Sequence, residues 1–324
     1  MESFISGKKL IVAPDAELSY IPFGVLPMNT IDTSVTGHSA YAEAKFVIES
    51  YPICYNYSAS MFLHSKQQQK NNAAQKMSTW APDFHTMEQI ISQKGIGEKL
   101  TALPGAQQEA QHIADMFGSP AYLAGRASEL QFKKEANLYS VLHIATHGVV
   151  NDLDPLFSSL ILRNEGQEDG ILHAYELYNM KLNADLAVLS ACNSGMGRLK
   201  KGEGVVSIAR GFSYAGVPNI VMSKWPVSDW STEVLMREFY KNLKRGLPKD
   251  EALQQAKIAY LKANRGTPKL LAPFYWGGFV LSGNTDPLPA LADNAAYWQW
   301  GISLLAIILL LILGRKRLQR TKSA

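Results

Sequence analysis

"SVLHIATHG" (residues 140–148) and "ADLAVLSACNSG" (residues 184–195) decide the fold. Each is a short, nearly unbroken apolar run that closes on a polar turn marked by glycine. Runs of this length without polar alternation read as strands covered on both faces, the pattern of a parallel sheet between helices. Three more runs share it: "KLIVAP" (9–14), "PNIVMSKW" (218–225) and "WGGFVLSG" (276–283). Helical patterns lie between them. "PGAQQEAQHIADMFG" opens after Pro104 and closes at Gly118. "TEVLMREFYKNLKRG" follows Asp229 as N-cap, carries Leu235, Met236, Phe239, Tyr240 and Leu243 along one face, and ends at Gly246. "DEALQQAKIAYLKANRG" starts with Asp250 and stops at Gly266, with Pro268 beyond. This alternation predicts an α/β fold with a mostly parallel sheet flanked by helices on both faces.

With 324 residues, 47% of them hydrophobic and 19% charged, the chain can bury one large core or two smaller ones. The formal net charge is +4, and the basic residues are dispersed except at the extreme C-terminus, so no nucleic-acid partner is expected. Two cysteines, Cys54 and Cys192, provide neither a disulfide framework nor a cysteine-based zinc site. "HSKQQQKNNAAQK" (64–76) is polar and amide-rich and reads as a surface loop. "GNTDPLPALADN" (283–294) reads as a short linker after the last strand.

Beyond that linker the apolar stretch Trp298–Leu313 carries no charge and is interrupted only by Gln299 and Ser303. At about 1.5 Å of helical rise per residue, this stretch with its flanks can cross a hydrocarbon core of about 30 Å. Tyr297, Trp298 and Trp300 form an interfacial belt at one end; Arg315, Lys316, Arg317, Arg320 and Lys322 supply positive charge at the other. A single C-terminal transmembrane helix and contact with membrane lipid are therefore expected, with the basic tail in the cytoplasm. The N-terminus lacks the pattern of a secretory signal, so the side of the large domain stays open between an exported domain with an upstream signal and a tail-anchored one. The expected organisation is a domain at 1–284, a linker at 285–296, a transmembrane helix at 297–314 and a basic tail at 315–324.

His147 and Cys192 both stand where a strand ends and a glycine follows closely. In open parallel sheets, functional groups gather at the carboxyl ends of strands. A thiol with a reference pKa near 8.5 is mostly protonated at neutral pH, and a neighbouring imidazole can lower that pKa or take the proton as attack begins. Gly148 leaves its N–H unobstructed and, with the N–H of Cys192, can form an oxyanion hole. The bland reading of a lone cysteine is a small buried hydrophobe. Cys54, in "YPICYNYSAS", takes that reading, and His143 is expected to be a hydrogen-bonded structural residue. His38, His64, His85, His112 and His173 show no metal-ligand spacing, so neither metal nor cofactor is expected. "RLKKGEGVVS" lacks the Gly-Lys-Ser/Thr ending of a phosphate-binding loop.

The motifs "HIATHG" and "LSACNSG" resemble the His and Cys motifs of the CHAT domain, a caspase-like cysteine-peptidase module related to caspases and separase. Their separation is comparable to the roughly 50-residue His-to-Cys interval of caspases. The blocks "LIVAPDAELSYIPFGVLP", "LPGAQQEAQHIA", "KGEGVVSIARGFSYAGVPNIVMSKWPVSD" and "APFYWGGFVLSGN" resemble CHAT blocks in the family's order, so the likeness runs from Lys9 to about Asn284. The resemblance implies a caspase-like sheet, with Cys192 as nucleophile, His147 as general base and Gly148 as oxyanion donor. It further implies a polypeptide substrate cleaved through a thioester. Asp229 matches an acidic position of the family block; its N-cap role accounts for it, and a part in the substrate pocket is the other reading. Family members commonly carry tetratricopeptide repeats upstream, which makes a regulator of that type a candidate partner. The alternative function is a CHAT-type interaction or signalling module at the membrane that binds without cutting.

Overall fold

The computed structural model describes residues 7–30, 37–56, 58–67, 73–84, 102–151, 153–190, 204–226 and 228–293. Among these the strands are β1 (Leu10–Val12), β2 (Ile53–Tyr55), β3 (Gln75–Ala81), β4 (Ala121–Leu123), β5 (Tyr139–Ile144), β6 (Gly148–Val149), β7 (Ser159–Ile161), β8 (Ile171–His173), β9 (Leu186–Leu189), β10 (Ile220–Ser223) and β11 (Phe279–Ser282). The α-helices are α1 (Val47–Ser50), α2 (Ala59–Gln67), α3 (Pro104–Phe117), α4 (Glu129–Glu135), α5 (Ala174–Leu177), α6 (Gly204–Tyr214), α7 (Asp229–Lys244), α8 (Lys249–Ala263) and α9 (Pro273–Trp276).

One eight-stranded sheet runs in the order β1-β2-β11-β10-β9-β5-β3-β4, and β6, β7 and β8 form a small antiparallel sheet beside it. Neighbours in the large sheet pair in parallel except β10 and β11, so the mostly parallel sheet expected from the apolar runs is present. The exception has a local cause. Helix α7 leads from the carboxyl end of β10 to the amino edge, α8 returns, and β11 must then start beside the carboxyl end of β10, where Phe279 pairs with Ser223. Every residue of β5, β9 and β10 is buried, as two covered faces require. Right-handed crossovers put α3 on one face and α4 and α6 on the other, because the chain moves outward from β3 to β4 and then back across to β5, β9 and β10.

The expected apolar face of α7 is the observed one: Leu235, Met236, Phe239, Tyr240 and Leu243 are all fully buried. Three local expectations need correction. The N-cap of α7 is Ser228, whose backbone is extended (φ −67°, ψ 134°), and Asp229 is already the first helical residue. The polar stretch 64–76 is not one loop, because Gln67 still belongs to α2 and Gln75 opens β3. Residues 283–293 are not a free linker: Leu288 and Leu291 are buried, and the Asp293 N–H donates to the Lys244 carbonyl at 2.8 Å. The expected membrane segment 297–314 and tail 315–324 lie outside the described residues. Among the described residues no helix is long and apolar enough to cross a membrane.

Candidate active site

The strand order reverses between β3 and β5: the chain leaves β3 toward β4, then crosses back to β5 and continues to β9 and β10. At such a reversal the connecting loops diverge and leave a crevice outside the carboxyl ends of the two strands. His147 follows the carboxyl end of β5, and Phe84 follows that of β3. Their rings meet edge to face, with centroids 4.6 Å apart. Phe84 packs with Ile161 and Ile171 of the small sheet, so the imidazole, 2% exposed, rests against an apolar wall.

The backbone around His147 is fixed from the other side as well. Its carbonyl accepts the Ile161 N–H at 2.9 Å, and the Thr146 hydroxyl donates to the Ile161 carbonyl. Gly148 pairs with Leu160 in the β6–β7 ladder. The bond from Ile161 N–H to the His147 carbonyl makes Gly148 and Leu160 a non-hydrogen-bonded pair, in which the Gly148 N–H faces away from β7. Glycine here keeps the approach to that N–H clear of a side chain.

Strand β9 lies directly beside β5, with Ile144 opposite Leu189. Pairing continues one residue further, where the Ser190 N–H donates to the Ile144 carbonyl at 2.9 Å. The candidate nucleophile Cys192 lies two residues beyond and outside the described residues. Asp229 opens α7, which starts after the carboxyl end of β10 on this same edge. At that strand end Lys224 donates to the Ser19 carbonyl and lies 5.8 Å from the Tyr55 ring centroid. Burial pushes its amine down to about 8.

The sequence matches the CHAT domain family over residues 4–284. The chain belongs to the CHAT family. Tetratricopeptide repeat protein 28 of Mus musculus is 21% identical to it over 322 residues, covering 86% of this chain and 12% of that protein. The CHAT chain thus spans a small part of this curated relative. Among solved structures, a chain of the Saccharomyces cerevisiae separase–securin complex is 14% identical, with a TM-score of 0.44 over 76% of this chain and 15% of that one. The complex of Porphyromonas gingivalis RgpB pro- and mature domains gives 12% identity and a TM-score of 0.46 over 84% of this chain and 62% of that one.

The other histidine of the CHAT motif, His143, is fully buried on β5 and is structural, as its place in the pleat suggests. Its Nδ1 lies 3.2 Å from the Tyr240 hydroxyl of α7, and its Nε2 lies 3.0 Å from Glu109 Oε1 of α3. The same Glu109 oxygen accepts the Ser190 hydroxyl. Sequence reading missed Glu109, since a glutamate in an amphipathic helix is ordinarily solvated. Its signal was positional: it is flanked at 106, 110 and 113 by residues that prove buried. Cys54 is also buried, donates to the Gly283 carbonyl at 3.1 Å, and is a packing residue. The group with metal-ligand proximity among the described residues is Glu129, Glu168 and Glu176. The Lys133 ammonium lies 2.7 Å from each of the three and supplies their cation, clamping α4 to the β7–β8 connection and to α5.

Proposed function

We propose that this CHAT domain is a caspase-like cysteine endopeptidase, anchored to a membrane by the apolar segment that follows it. His147 takes the proton of the Cys192 thiol, and the thiolate attacks the scissile carbonyl of a polypeptide. The imidazolium returns that proton to the leaving amine as the carbon–nitrogen bond breaks, leaving a thioester. Water, deprotonated by the same imidazole, then hydrolyses the thioester. The N–H groups of Gly148 and Cys192 hold the oxyanion; losing one such donor typically costs about 2.7–4 kcal/mol of transition-state stabilisation. The observation that carries this reading is the position of His147 at the β3–β5 reversal, beside a strand that is hydrogen-bonded to β5 as far as Ser190. Asp229 at the start of α7, on the same edge, supports a part for it in selecting the substrate residue.

Membrane anchoring rests on the apolar segment 298–313 and its basic flank, and the fold bears on the orientation such an anchor would give. Ser282 pairs with Ile220 at the amino end of β10, and Asp293 is bonded to the last residue of α7, so the described chain ends on the edge opposite His147. An anchor following from there leaves the catalytic edge turned toward solvent and a polypeptide substrate. The similarity to tetratricopeptide repeat protein 28 supports a regulator of the tetratricopeptide type.

The test is labelling of the full chain with an alkylating peptide probe. Cys192 is expected to be labelled, His147→Ala to abolish labelling, and Cys192→Ala to fold normally without cleaving any polypeptide. Equal labelling with and without His147 would favour the second reading, a module that binds without cutting. The near-complete burial of His147 behind Phe84 is the observation on that side. Protease accessibility of the domain in sealed vesicles then decides which compartment holds the substrate.

A further inference from the structure

We infer that Glu109 is a positioning residue for the nucleophile: it fixes Ser190, two residues before Cys192 in the chain. This rests on the peptidase reading above. Glu109 is 3% exposed, and a carboxylate so far from water needs donors aimed at it. It has two polar neighbours among the described residues, and they are not equivalent. The His143 Nε2, although 3.0 Å away, does not make an aligned hydrogen bond. The Ser190 hydroxyl is the aligned donor. Behind His143 stands the Tyr240 phenol, which burial and the Glu109 charge push well above its ordinary pKa, so it remains protonated and donates to the imidazole.

The four groups come from α3, β5, the chain just after β9, and α7, and have no local reason to meet. Ala106, Ala110 and Ala145 pack together at the same junction, and their small side chains let α3 approach the sheet closely enough for Glu109 to reach β9. An apolar residue at 109 would complete that interface at lower desolvation cost. What the carboxylate adds is a hold on one residue. Ser190 has its N–H tied to β5 and its hydroxyl tied to α3, so both its backbone and its side chain are fixed at the edge from which the chain proceeds to Cys192. Reactive groups need such support, because a misplacement of about 1 Å can cost about a hundredfold in rate.

The experiment measures the second-order rate of Cys192 alkylation by iodoacetamide in the full chain, read by mass spectrometry of the Cys192 peptide at equal distances below each variant's Tm. Ser190→Ala and Glu109→Ala are each expected to slow Cys192 by about tenfold or more. Glu109→Gln, whose amide oxygen still accepts the serine hydroxyl, should restore the rate to within about threefold of the parent. Combining the two alanine substitutions should give an effect far from additive, as for one shared contact. If Ser190→Ala folds and alkylates at the parental rate, the positioning role is overturned, whatever Glu109→Ala does to stability. If the parent Cys192 itself reacts no faster than a free cysteine peptide, the peptidase reading has failed and the positioning role falls with it.

Discussion

Replacing Lys257 with Met should make the stability difference between the two proteins depend on pH in one direction only. Lys257 is 4% exposed on α8, and its amine donates to the Phe279 carbonyl at 2.6 Å. Burial pushes it down from its ordinary 10.5 to about 7. Between those two values the unfolded chain holds the proton and the native chain releases it, so stability rises with pH by up to about 1.4 kcal/mol per unit and levels off near 10.5. Below about 7 both states are protonated, and the full penalty of the buried charge is present. Methionine has nearly the same length and no charge. Loss of the hydrogen bond to Phe279 costs about 1–3 kcal/mol at every pH and therefore drops out of the comparison. The advantage of Lys257→Met over the parent should fall by about 2.5 kcal/mol between about pH 7.5 and 9.5. Urea unfolding of both proteins at those two values, followed by tryptophan fluorescence, measures this directly. A difference that stays flat with pH would refute the reasoning, because it would mean that the amine keeps its proton in the native state through contact with water.

The two thiols should behave as opposites. Cys54 is enclosed, and burial pushes it up to about 12, so in the native protein at about pH 8 iodoacetamide should leave it unmodified except at the rate of global unfolding. Modification of native Cys54 at the rate of a free thiol would contradict its assignment to packing. Gly283→Ala should destabilise by about 3 kcal/mol or more. Gly283 has φ +125°, and a Cβ there would lie 2.4 Å from the Pro218 carbonyl and 2.5 Å from Asn219 Oδ1. Asn219 cannot retreat readily, since it donates to the Asp185 carbonyl and accepts the Asn284 N–H. A urea midpoint equal to the parent's would show that this corner yields more easily than its contacts indicate.

The strands around the site were legible because burial on both faces leaves continuous apolar runs. β9, β10 and β11 lie inside the quoted stretches, and β5 starts one residue before its own. Strands β2, β3 and β4 were not. β3 begins with Gln75 and Lys76 and carries Ser78 and Thr79, both fully buried, so its polar letters imitate a loop while its position is interior. Asp286 and Pro287 made 283–293 look like a tether, yet Leu288 and Leu291 dock it to the domain. The assignment of His143 to structure follows from pleat alternation, which is local and visible. Glu109 was hidden because its partners, His143 and Ser190, come from two distant segments.

From the order of residues alone came the class of fold, the His-Cys motif pair at two strand ends, and the apolar segment with its basic tail. Each is a short-range pattern, set by which faces of a strand or helix meet water. Tertiary structure decided which strands are neighbours, where the order reverses, that β11 runs against β10, and which charged groups are sealed inside. Those depend on side chains separated by tens to hundreds of residues packing into one space. A carboxylate such as Glu109 or an amine such as Lys257 has the same letter at the surface and in the core, and only the surrounding packing distinguishes the two.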